Sequence, residues 1–343
     1  MVKNFIFTLL VTFSSYNQQF AQEFDVLSYN KTINSAELLI VRGSLNEAIV
    51  HYEIALKKVG FLLNKDLYNL CVCHLKKCNI STASNLIYSL ICNGAKRNVL
   101  LQNKLIFNNF SNTEINQTIS TNFSNSLHDS LNMIFKNDQI YRTSIYKNSN
   151  NTSLIWQADS INNMILLKII RDYNGLPSEK ITGIGSNSFI FQEYLIHILH
   201  QSFGSAKYDY ANVILEALTK GNINAHLGAF LFTRVTGNQF YFGPLSLISI
   251  RYDNNSQLQK DSIDFSTSRN TYILKLDSVK KKKCDENRKL YGLESIDEFV
   301  EKAKFQIANP EFEFYYLPFI NSNYIFNSKA DLEKVTKNLI RLY

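Results

Sequence analysis

Small and aromatic residues recurring at helical spacing, Gly43-x4-Ala48-x3-Tyr52-x2-Ala55-Leu56, constrain the fold of this chain more than any other feature. Ala48, Tyr52, Ala55 and Leu56 stand at i, i+4, i+7 and i+8, which is one face of an α-helix. Ala36, Leu39 and Ile40 set the same period before Gly43. Alanines at contact positions let two antiparallel helices approach closely, and Tyr52 fills the gap between them. A weaker copy follows after about 34 residues. Leu67, Leu70, Cys71 and His74 predict its first helix; Ala83, Ile87 and Leu90 predict its second, with a one-residue slip. Two such hairpins, over 29–95, are too few to stand as a free solenoid and need a surface to cap them.

This spacing resembles the second half of a tetratricopeptide repeat, with Gly60 in place of the proline that usually ends one. The resemblance implies a protein or peptide partner held by the repeat-like helices.

At 343 residues the chain is long enough for about two domains. Only 12 Gly and 4 Pro favour long helices over a turn-rich β-sandwich. The net charge of +7 is scattered, and its one block, Lys280 to Lys283, reads as a solvated helix end; no nucleic-acid partner is expected. Met1-Val2-Lys3, the apolar run Phe5 to Phe13 and then Phe20-Ala21-Gln22 predict a signal peptide over 1–22. An exported protein, periplasmic or extracellular, is the expectation. No other segment reaches the ~20 apolar residues of a membrane span. Five cysteines (71, 73, 78, 92 and 284) lack paired CxxC spacing. Cys71 and Cys78 are expected on one helix face as small buried apolar groups.

Residues 96–124 form a polar connector with one apolar segment, Leu100 to Phe107. A second domain is expected over 125–305. Its helices are read from Leu127 through Arg142, over Ser160–Asp172, Ser188–Gln201, Tyr208–Lys220 and Ala225–Val235, and over Glu286–Ile307. Asn174-Gly175-Leu176-Pro177 stops the second of these. Alternating stretches at Leu245–Tyr252 and Thr271–Leu276 predict a small sheet or hairpin. The segment 306–343 ends in a predicted helix, Lys329–Tyr343. The expected class is mainly α: tetratricopeptide-like helical hairpins packed against a second helical domain with a small β element.

Polar residues punctuate these helices. Asp138-Gln139-x-x-Arg142 is followed by Asp159…Asn163, Gly175-x-Pro177, Gly183, His200, Arg234 and Gln239…Gly243. Asp138 and Arg142 are an i, i+4 pair, and Glu193, His197 and His200 would share one helix face. Two imidazoles and a carboxylate on one face can bind a metal, but such a stripe is more often a partly buried polar face, and His-x-x-His without an intervening acid is not the zinc-protease signature; no metal and no cofactor is assigned.

In this order, and with Arg288-x-x-x-Gly292-Leu293 ahead of an acidic helix, the motifs resemble the uncharacterised bacterial family known as domain of unknown function 6624, over about 125–305. Leu176 departs from the family's aromatic, Thr233 from its acid, and Gln239-Phe240-Tyr241-Phe242-Gly243 is one residue longer than its pattern. Either His197 or His200 can stand for the family histidine, and the sequence around His200 fits better. The family carries no activity to transfer. Two functions are therefore expected. The first is an exported interaction module for a protein or peptide. The second is a ligand-binding or hydrolase-like pocket for a small anionic ligand. There, His200 would be the acid/base and Asp138 its orienter, with Gln139, Arg142, Asn163, Arg234 and Gln239 binding the ligand.

Overall fold

The computed structural model describes residues 25–110, 125–145, 152–185, 188–201, 208–238, 241–243, 247–252, 271–315, 320–326 and 329–342. The signal segment 1–22, most of the second half of the connector, and Gln239 lie outside the described residues. The fold is mainly helical with a small sheet.

Helix α1 (Val26–Val41) starts at Asp25, whose carboxylate accepts the Ser28 backbone N–H at 2.9 Å. Helix α2 (Leu45–Val59) ends where Gly60 turns left-handed, φ 76°. Ala48, Tyr52 and Ala55 are buried where α2 packs on α1, as the spacing predicts. Helices α3 (Asn64–Lys76) and α4 (Ile80–Cys92) form the second hairpin. Cys71 and Cys73 lie in the core, where burial pushes both thiols up to about 12. Cys78 does not share their face. It is exposed, past the end of α3, with φ at 59°. The connector's apolar segment forms two short helices, α5 (Arg97–Leu100) and α6 (Lys104–Asn109), anchored by Leu100 and Ile106.

The second half contributes α7 (Asn125–Ile145), α8 (Thr152–Asp172), α9 (Glu179–Thr182), α10 (Leu195–Gln201), α11 (Ala211–Lys220) and α12 (Ala225–Thr236). They share one apolar core that includes Leu131, Ile134, Leu166, Ile198, Ile214 and Leu231. Helix α10 begins later than its periodicity predicts. The chain before it turns at Ser188, whose hydroxyl accepts the backbone N–H of Ile190 (3.0 Å) and Phe191 (3.2 Å). Glu193 therefore precedes the helix and does not share a stripe with His197 and His200.

Strands β1 (Leu247–Tyr252) and β2 (Thr271–Leu274) pair antiparallel, as expected. The predicted helix over 286–307 is two helices, α13 (Ser278–Leu290) and α14 (Ile296–Ala308). Gly292 breaks the chain at φ 70°, and Ser295 restarts it through a capping box with Glu298. Strand β3 (Ile320–Phe326) joins β1 in parallel. Helix α15 (Lys329–Thr336) stops short of the terminus because β4 (Leu339–Arg341) pairs with β2, giving the order β3-β1-β2-β4.

The surface that caps the hairpins is the chain's own C-terminal third. Helix α14 packs on α1, and Phe312, Phe314 and Tyr315 join the hairpin core. The segment 309–315 runs past α3. There the Asn69 amide donates to the Glu313 carbonyl (2.7 Å) and accepts its N–H (2.9 Å), while the Tyr68 hydroxyl donates to the Glu311 carbonyl (3.1 Å). Helix α3 is consequently buried on every side, including its polar Asn64, Lys65, Asp66 and Asn69.

Burying those charges requires partners. Lys65 pairs with Glu37 and with Asp66 (2.6 Å), and Lys302 pairs with Glu37 (2.6 Å) and Glu294 (3.5 Å). Arg288 pairs with Glu294 (3.2 Å), and His226 Nε2 also meets Glu294 (3.0 Å). Three carboxylates, three cationic side chains and the His226 imidazole thus sit together in the interior, drawn from α1, α3, α12, α13, α14 and the loop between the last two.

Candidate functional site

Along α7 the buried face reads Leu127, Leu131, Ile134 and then Asp138. A carboxylate has taken a core position, which is tolerable only if it is fully hydrogen-bonded. Helix α10, packed against α7, α8 and α12, supplies two imidazoles. His197 Nδ1 lies 3.2 Å from Asp138 Oδ1, and His200 Nδ1 lies 2.7 Å from Oδ2. Gln139 Nε2 donates to Oδ2 at 2.8 Å, and Arg142 Nε stands 3.4 Å from Oδ1. Burial by itself would raise the Asp138 pKa. The hydrogen bonds from His197 and His200, with the charges of His200 and Arg142, outweigh it and hold the carboxyl well below the usual carboxylate range.

Helix α8 closes the cluster with Asp159 and Asn163, an i, i+4 pair on one face. Arg142 Nη2 donates to both Asp159 oxygens, at 2.6 and 2.7 Å. Asn163 Oδ1 faces His197 Nε2 at 3.2 Å and accepts the Tyr210 hydroxyl, while its Nδ2 donates to Gln201 Oε1 at 2.9 Å. His197 is fully buried. The side chains of His200, Arg142 and Asp159 keep 29%, 23% and 15% of their surface, so the outer edge of the cluster is open to solvent.

Five of the expected site residues therefore meet: Asp138, Gln139, Arg142, Asn163 and His200. Arg234 stands in the last turn of α12, half-buried, with its pKa lowered by desolvation. The bonds described above do not include it. Gln239 is outside the described residues. Glu193 instead lines a cleft with His128, Asn132, Thr182, Gln192 and Tyr194. That cleft borders α7 at Leu131, two helical turns before Asp138. Asp159, Gln201 and Tyr210 were assigned no role from sequence, and His197 entered only as the alternative to His200. The i, i+4 spacing of Asp159 and Asn163 and the two-histidine run were the available signals.

No protein-family model, curated protein or solved structure matches the chain. A buried, ionised carboxylate bonded to a part-exposed imidazole is an arrangement that can hold a general base in place. Since Nδ1 of His200 is engaged by Asp138, Nε2 is the nitrogen left for proton transfer. Separately, Asp138, Asp159 and His197 bring three metal-ligating atoms within 4.8 Å of one another.

Proposed function

We propose that the protein binds a small anionic ligand at the junction of α7, α8 and α10 and acts on it by general acid–base chemistry, as a hydrolase does. His200 is the base, Asp138 holds it in place, and Arg142 offers its guanidinium to the ligand. The observation that carries this is the 2.7 Å bond between buried Asp138 and part-exposed His200. The repeat-like helices offer less support for the interaction function, since the chain's own segment 309–315 already lies against α3.

The test compares wild type with His200→Gln on p-nitrophenyl phosphate and p-nitrophenyl acetate. A positioned base contributes about 10²–10⁴-fold, so the variant should lose at least 10²-fold in rate. Its melting temperature should hardly change, because His200 is part-exposed. Equal rates for the two proteins on both probes would refute the assignment.

Export is part of the same proposal and rests on the Lys3-led apolar run. Mass spectrometry of the mature protein should find an N-terminus near Gln22 or Glu23; an intact Met1 on cytosolic protein would exclude export.

A further inference from the structure

Asn163 cannot rotate freely, because its Nδ2 is spent on Gln201 Oε1 and its Oδ1 accepts the Tyr210 hydroxyl. The group it turns toward His197 Nε2 is an oxygen, at 3.2 Å, which leaves Nδ1 as the nitrogen facing the carboxylates. Nδ1 faces two carboxylates, 3.2 Å from Asp138 Oδ1 and 3.9 Å from Asp159 Oδ1. A ring nitrogen and two carboxylate oxygens, all within 4.8 Å of one another, are the donor set of a cation site.

We propose that Asp138 Oδ1, Asp159 Oδ1 and His197 Nδ1 bind one divalent first-row metal ion, with Asn163 orienting the imidazole. A histidine that ligates a metal through one nitrogen and donates its other N–H to an oxygen acceptor is the usual arrangement at such sites. Bonds of about 2.0–2.2 Å place neighbouring ligands roughly 3 Å apart, so the three atoms need shifts on the order of 1 Å to close on an ion. Two carboxylates and one imidazole suit manganese, iron or zinc; magnesium and calcium prefer all-oxygen sites.

Arg142 now stands against both carboxylates and competes with the ion. It holds Asp159 through Nη2 alone, and its buried Nε has no hydrogen-bond partner although Asp138 Oδ1 is 3.4 Å away. Its side chain reaches solvent and can swing outward, where its charge would face an anionic ligand. Asp138 then divides its work, Oδ1 to the metal and Oδ2 to His200.

The test uses the full mature chain purified without chelator, titrated with MnCl₂ or ZnCl₂, and read by metal content after gel filtration and by melting temperature. Wild type should retain a single ion and melt several degrees higher, and EDTA should reverse both effects. Asp159→Asn and His197→Gln should lose the ion. Arg142→Gln should bind it at least tenfold more tightly, because the competing guanidinium is gone; a site held together by Arg142 would instead weaken. His200→Gln should keep the ion while losing turnover, which separates this proposal from the functional one. If either ligand variant fails to fold, Co²⁺ bound to wild type supplies an independent visible absorption signature. Absence of metal and of any thermal shift in both wild type and Arg142→Gln would overturn the proposal.

Discussion

Glu179, at the start of α9, is buried and accepts the Asn64 backbone N–H through Oε2 at 3.1 Å. Burial, with nearby Asp66, pushes its carboxyl up to about 8 from an ordinary 4.5. Between those two values the folded state keeps a proton that the unfolded chain has released. This contribution to stability is therefore complete below about 4.5 and declines as pH rises through about 8. Glu179→Gln carries no charge at any pH and removes that decline. Urea denaturation from pH 5 to 8 should show the variant gaining on wild type as pH rises, by on the order of a few kcal/mol at the upper end. Parallel curves would mean that Glu179 is ionised in the fold. Glu179 was not legible in the sequence, since nothing local marks a glutamate as buried. Asp138 and His200 were legible because each interrupts an apolar helical run. Glu37 interrupts one too, between Ala36 and Ile40, but its partner Lys302 lies 265 residues downstream, beyond the reach of any periodicity.

At the scale of elements, helical period located nearly every helix, because one face of each packs on a neighbour. What periodicity missed were boundaries set by single side chains. The turn at Ser188 precedes a helix that starts only at Leu195, and Gly292 with Ser295 divides α13 from α14. The position of Gly292 is also sterically fixed, as a Cβ there would meet Asn30 Cβ at 2.8 Å and the Leu27 carbonyl at 2.9 Å. Strands β3 and β4 were missed because the first pairs with a strand far away in the chain and the second is three residues long. The α1–α2 seam, by contrast, follows directly from Ala48 and Ala55, both fully buried. Ala48→Leu should overpack that seam and cost ~1–3 kcal/mol, read as a lower melting temperature. An unchanged melting curve would show that the two helices do not meet at Ala48.

For the whole molecule, the buried ionic cluster decides whether the hairpins and the second half behave as one unit. Lys302 is its hinge, bridging Glu37 of α1 to Glu294 beside α14. Such clusters add little net stability over apolar packing, yet removing one member strands the opposite charge, at a cost of ~3–5 kcal/mol. Lys302→Met leaves Glu37 with Lys65 alone and weakens the hold on Glu294, so it should destabilise by about that amount. The chain's single tryptophan, Trp156 on α8, reports the second half, while far-UV circular dichroism reports all the helices. If the cluster couples the two cores, both signals should move to lower urea together in the variant, each remaining a single transition. A circular-dichroism loss that precedes an unshifted Trp156 transition would show the hairpins unfolding by themselves. The ionic cluster would then be a local feature of the α1–α3–α14 contact and not the link between the two halves.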